Sequence, residues 1–125
     1  MQHNFPISPS RLRPALAVLC LGVLSPALGQ DAPAVDAASI ERGAQLFQQH
    51  CTACHGHDGR AQVDVIADAT DLTAPAYYYN GSTDQDMFNS IADGAGVAMP
   101  GWRGPLGGDA PVWDLVYFVK TLWAQ

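Results

Sequence analysis

Apolar residues return at three- and four-residue steps in three stretches of the chain. Ile40, Gly43, Ala44, Leu46, Phe47 and Cys51 lie on one face of a helix, with Ser39 placed to cap it and Glu41 in its first turn. Met87, Phe88, Ile91 and Ala92 form a second stripe. The spacing Ser82-x-x-Gln85 predicts its capping box, Asp84 and Asp86 fall in its first turn, and Gly94 stands where a terminating glycine belongs. Val112, Leu115, Val116, Phe118, Val119, Leu122 and Trp123 predict a third helix beginning near Asp109 and Pro111, with Lys120 toward its end. No alternating run of strand length occurs, so the expected class is all-α. Between the helices, residues 56–81 and 95–108 are rich in Gly, Pro and Asp and show little periodicity. Three short helices and two long loops make a thin core by themselves. A large apolar non-protein group buried among them would account for both features.

The apolar run from Ala15 to Leu24 has a different character. Arg11 and Arg13 precede it, Pro26 interrupts it, and Ala27-Leu28-Gly29 supplies a small-x-small pattern. Residues 1–29 therefore read as a cleaved export signal. The run is too short to span a bilayer comfortably, which weighs against an uncleaved anchor. Bulky Leu19 before Cys20 weighs against a lipid-anchored form. Residues 30–37 then form a flexible lead-in, and 38–125 the domain. Among the 125 residues, 6 Lys and Arg face 12 Asp and Glu, a formal charge of −6 that becomes −8 once the leader's two arginines are gone. Such a balance disfavours nucleic acid and anionic lipid surfaces. A hydrophobic content of 48% disfavours disorder.

Removal of the leader also removes Cys20, leaving Cys51 and Cys54. A disulfide between residues so close would close a minute loop and constrain little. The surrounding sequence, Cys51-Thr52-Ala53-Cys54-His55, is the attachment motif of c-type haem. Two thiols add across the porphyrin vinyl groups, and the adjacent imidazole is held beneath the iron as the proximal ligand. A thioredoxin-like redox pair would need a strand–helix context, and zinc would have to recruit His50 or His57 into a cramped cluster. Two methionines outside the leader compete for the opposite side of the iron. Met87 lies on an apolar stripe, the usual place of a core filler. Met99 lies in a glycine-rich loop before Pro100-Gly101-Trp102, where a rigid turn can fix its thioether, and is the expected sixth ligand. His50 and His57 sit too near the motif to reach the far haem face.

As a set these residues resemble the single-haem, class I c-type cytochromes. The resemblance runs from Gly43 to Leu122 and rests on Gly43-x-x-x-Phe47, Cys51-x-x-Cys54-His55-Gly56, Asp58-Gly59-Arg60, Ile91-x-x-Gly94, Met99-Pro100 and Phe118-Val119-Lys120-Thr121-Leu122. It implies an all-α fold of about three main helices with long loops around one covalent haem c. It also implies that Gly43 and Phe47 on the first helix meet Phe118 on the last. The Gly-Pro-x-Leu stretch that in many members supplies the carbonyl acceptor for the proximal histidine is absent, so the group that orients His55 is unassigned. The second glycine usual after Asp-Gly-Arg is also missing, as Ala61-Gln62 follow Arg60.

Iron closed by His and Met has no open position for substrate and passes single electrons. The expected function is that of a periplasmic carrier and not an enzyme, shuttling electrons between a dehydrogenase or respiratory complex and an acceptor such as a terminal oxidase. The alternatives are an electron-transfer subunit of such a complex, or an open-iron gas-binding or peroxidatic haem protein. Arg60, Tyr77, Tyr78, Tyr79, Asn80 and Trp102 are candidates for haem walls or propionate partners, with Arg60 and Trp102 foremost. The acidic surface predicts redox partners with basic docking patches and association that slows with added salt.

Overall fold

The computed structural model describes residues 32–61 and 69–124. The export-signal reading of residues 1–29 lies outside the described residues. Five α-helices follow in order: α1 (Ala37–His50), α2 (Thr52–His55), α3 (Asp84–Asp93), α4 (Arg103–Leu106) and α5 (Asp109–Thr121). Three are long, α2 and α4 are single turns, and short 3₁₀ turns occupy Pro75–Tyr77 and Leu122–Ala124. Among the described residues there is no strand, only an isolated bridge between Ala95 and Met99.

Two of the helix starts differ from the sequence expectation by a few positions. For α1 the cap is Asp36, not Ser39. The Asp36 carboxylate accepts from the Ser39 backbone N–H at 2.6 Å, while Ser39 Oγ accepts from the Asp36 backbone N–H at 3.2 Å. Ser39 is thus the third helical residue and takes the role more often filled by Glu. For α3 the reciprocal box is Thr83 with Asp86, one position beyond Ser82 and Gln85. Gln85 instead donates along the helix to Asn89 at 2.9 Å. Gly94 ends α3 as expected, at φ +98°.

The Asp36 cap carries a pH signature. Accepting the Ser39 backbone N–H lowers the Asp36 pKa below its ordinary 3.8. A depressed carboxylate contributes its stability above the ordinary value and loses it as pH falls through the folded-state value. Asn caps nearly as well as Asp without titrating. Asp36→Asn is therefore expected to flatten the acid side of a melting-temperature–pH profile, leaving the neutral region close to wild type. An unchanged acid slope would remove Asp36 from the acid transition.

The centre of the fold is α5. Val112 through Tyr117, Val119 and Leu122 are buried, with α1 crossing on one side and α3 packing on another. The crossing of α1 is close because Gly43 has no side chain. A Cβ there would stand 2.0 Å from the Asp114 carbonyl oxygen and 2.8 Å from Phe118 Cβ. One turn on, Phe47 meets Phe118 with ring centroids 5.2 Å apart, so the contact implied by the family resemblance is present. Arg42 fixes the same crossing with two bonds to the buried Asp114 carboxylate, at 2.8 and 2.9 Å. On the α3 side Phe88 stacks on Trp113 at 4.5 Å, and Trp113 on Tyr117 at 6.0 Å. The Tyr117 hydroxyl donates to the Pro33 carbonyl, which ties the lead-in to α5 at that point.

Candidate functional site

The end of α1 delivers the attachment motif. Cys51 closes α1, its N–H bonding to the Phe47 carbonyl at 2.9 Å, and α2 carries Thr52 to His55 in one further turn. That turn places Cys51, Cys54 and His55 on the wall of a cleft. Two adjoining, partly open spaces share Cys51, His55, Thr70, Tyr79, Ala95, Met99 and Trp102 along their walls. The inner one runs back to Phe47, Met87, Leu115 and Val119 in the core, and the outer one opens past Gly96, Val97 and Pro100. Together they make a partly open slot lined mainly by apolar groups, which suits a large apolar ligand.

The chemistry of the two cysteines agrees with that use. Burial first, and the neighbouring Cys54 second, push the Cys51 pKa up to about 11. A redox-active dithiol lowers the pKa of its attacking cysteine, so the shift runs opposite to the thioredoxin pattern. Both thiols are free. The described residues hold no group of three or more His, Cys, Asp or Glu placed to bind a metal ion.

His55 is oriented by a group that the sequence did not reveal. Its Nδ1 lies 3.0 Å from the Thr70 backbone carbonyl, so Nδ1 carries the proton and Nε2 is left as a lone-pair donor toward the slot. Burial lowers the His55 pKa while the bond to Thr70 raises it, and burial is the larger effect, which favours the neutral ring. A neutral imidazole is what a metal requires.

Met99 is half-buried and lines both spaces. Its loop is pinned by reciprocal backbone bonds with Ala95, at 3.1 and 3.3 Å, and by Trp102 N–H to the Ile91 carbonyl at 2.8 Å. Met87 is 3% exposed and belongs to the core cluster, although it also reaches the inner floor. Trp102 lies on the wall, with its ring 5.4 Å from His50. His57 turns away and its Nδ1 bonds to Gln48 at 2.8 Å.

Arg60, the other foremost candidate, lies in the loop after the motif. It is exposed, paired with Asp58 at 3.8 Å and reaching Thr73 Oγ1 at 3.5 Å, and it does not line the slot. The carboxylate two residues earlier and the turn at Thr73 hold it outside. Tyr78, Tyr79 and Asn80 do line the inner space, whereas Tyr77 does not and is 81% exposed.

Solved structures identify the architecture. Cytochrome CL from Methylophaga aminisulfidivorans superposes with a TM-score of 0.60 at 22% identity, covering 71% of this chain and 58% of that one. Cytochrome c6 from the diatom Phaeodactylum tricornutum gives 0.56 at 24% identity, over 68% of this chain and 94% of its own. The fold is that of a class I c-type cytochrome. The family model described as cytochrome c oxidase, cbb3-type, subunit III matches residues 38–119, and the chain belongs to that family. Among curated relatives, the cbb3-type oxidase subunit FixPc of Rhizobium leguminosarum is 33% identical over 87 residues, covering 70% of this chain and 29% of the relative. The CcoP subunit of Azospirillum brasilense is 30% identical over 89 residues, covering 70% and 30%. The chain thus spans about a third of the length of the curated relatives it matches. Membership brings with it one covalently bound haem c per domain, and the free cysteines and apolar slot fit that group.

Proposed function

We propose that the chain is a single-electron carrier whose haem iron is held by His55 Nε2 and Met99 Sδ, with Cys51 and Cys54 as the thioether anchors. The observation that supports it most is the sharing of one slot by His55, held by Thr70, and Met99, held by the Ala95 bridge. The haem supplies a one-electron couple when bound. The residues of this chain keep water away from it and fix both ligand side chains before the iron is present. With His55 and Met99 both holding the iron, no position would be left for a substrate, and the domain would pass electrons without catalysing a reaction of its own.

The relatives named as oxidase subunits favour work beside a respiratory oxidase, as a subunit or as its soluble donor. An exported, periplasm-facing location follows from the motif and from the leader-like residues 1–29. No described helix is long and apolar enough to cross a membrane. Each of the four Lys and Arg residues in the described part is already paired with an aspartate: Arg42, Arg60, Arg103 and Lys120. The remaining surface charge is carboxylate, which suits a partner with a basic docking patch.

The ferric protein's absorption spectrum tests the ligand set. The wild type is expected to show the weak sulfur-to-iron charge-transfer band, and Met99→Ala to lose it and to bind carbon monoxide rapidly when reduced. Met87→Ala is expected to keep the band. A band that survives in Met99→Ala would take Met99 off the iron. Rapid carbon monoxide binding by the reduced wild type would instead support an open-iron protein.

A further inference from the structure

The Thr70 carbonyl that receives the His55 proton belongs to no helix or strand, so its position depends on what restrains residues 70–73. Two restraints are local. The Asp71 carboxylate accepts from the Thr73 N–H at 2.8 Å and from its hydroxyl at 2.7 Å, forming a turn. The Leu72 N–H donates to the Gly59 carbonyl at 2.7 Å, tying the stretch to the loop that follows the attachment motif. The third restraint comes from far along the chain. The Tyr78 hydroxyl donates to the Leu72 carbonyl at 2.6 Å and accepts from Trp123 Nε1 at 2.9 Å. The two rings meet edge to face, 6.2 Å apart. Trp123 sits in the turn that ends α5, under the Lys120 ammonium at 6.0 Å.

Both roles of the Tyr78 hydroxyl are therefore used, one as donor and one as acceptor. Burial raises the Tyr78 pKa, which keeps the proton on the oxygen and the donor role intact. The connection runs from the end of α5 through one phenol to the Leu72 carbonyl, two residues from the acceptor of His55.

We infer that Tyr78 and Trp123 are positioning residues for the proximal histidine: their hydrogen-bond relay fixes the 70–73 strap, and through the Thr70 carbonyl it sets how strongly His55 donates to iron. This inference rests on the proposed ligation by His55. A strong Nδ1–H···O bond makes the imidazole a better electron donor, which favours ferric over ferrous iron. Loosening the strap weakens that bond and raises the reduction potential. Tyr78 also lines the slot, so its replacement could act on the haem directly. Trp123 does not line it, and its Nε1 reaches the site through the Tyr78 hydroxyl alone.

The test uses the holoprotein as wild type, Tyr78→Phe, Trp123→Phe and Tyr77→Phe, the last as an exposed control. Two quantities are measured: the reduction potential, and the solvent exchange rate of the His55 Nδ1 proton by NMR of the reduced form. Tyr78→Phe and Trp123→Phe are both expected to shift the potential upward and to speed exchange about fivefold, the equivalent of one hydrogen bond. The shift is expected to be larger for Tyr78, and Tyr77→Phe is expected to match the wild type. Unchanged potential and exchange in both relay variants, with His55 signals still those of an iron ligand, would overturn the relay. So would a change in Tyr78→Phe with none in Trp123→Phe. If Tyr78→Phe fails to fold, Trp123→Phe carries the test alone. Wild-type spectra lacking an iron-bound His55 would overturn the ligation itself, and are distinguished by that signal.

Discussion

Gly43→Ala is expected to produce a large loss of stability, since an added Cβ there meets the shortest contact of any glycine whose surroundings are described. The new Cβ would lie 2.0 Å from the Asp114 carbonyl oxygen and 2.6 Å from its carbonyl carbon. Those are backbone atoms in the middle of α5, a helix buried along most of its length, so no side-chain rotation can make room. The helices must separate, and overpacking of this kind costs about 1–3 kcal/mol or more. A domain of this size has about 5–15 kcal/mol in total. Separation would also pull Phe47 from Phe118 and move the end of α1, which carries Cys51. Chemical denaturation of the holoprotein is expected to show a midpoint well below wild type, together with a lower yield of haem-loaded protein. Shortening the neighbouring side chain should not help: Gly43→Ala combined with Phe118→Ala is expected to be no more stable than Gly43→Ala, because the backbone clash remains. A rescue by the second substitution would place the obstruction in the Phe118 ring instead.

That glycine's role in close helix approach was legible in the sequence only as part of a family pattern, and the contrast with what was not legible is physical. Helix faces are written in apolar periodicity, so α1, α3 and α5 could be located from Phe47, Phe88 and Leu115 and their neighbours. Cap positions were harder. Asp36 and Ser39, or Ser82, Thr83, Gln85 and Asp86, offer several short polar side chains within one turn. Which one caps depends on the backbone entering the helix. The attachment motif was plain because its chemistry demands fixed residues at fixed spacing. Its acceptor was not, since Thr70 acts through its carbonyl, a group every residue has, and nothing in its identity announces the role. The Arg42–Asp114 pair and the Tyr78–Trp123 bond join positions 72 and 45 residues apart. Each partner alone reads as a solvated charge or a packed aromatic. Arg60 is the complementary case: a lone arginine near a cofactor motif suggests an anionic partner, and in the structure it pairs with Asp58 and reaches Thr73.

Gly94→Ala is expected to have the largest effect on the iron site among substitutions outside the ligands. Gly94 adopts φ +98°, a conformation in which a residue with a side chain is strained by about 1–3 kcal/mol. Its Cβ would also stand 2.8 Å from the Met99 carbonyl oxygen and 3.2 Å from the Gly101 nitrogen. The Met99 carbonyl accepts the Ala95 N–H, so the clash falls on the bridge that holds the proposed ligand in place. Gly96 provides the comparison. It too has a positive φ, +59°, but a Cβ there meets nothing within 4 Å. Gly96→Ala therefore adds conformational strain without pushing on Met99. On the proposed ligation, Gly94→Ala is expected to lose the sulfur-to-iron band and to admit carbon monoxide when reduced, while its helical circular dichroism stays near wild type. Gly96→Ala is expected to keep the band and lose only about 1 kcal/mol. Should both variants hold the band equally well, the loop would be compliant enough to carry the thioether to iron without its bridge. The preorganisation of Met99 by Gly94 would then have to be given up.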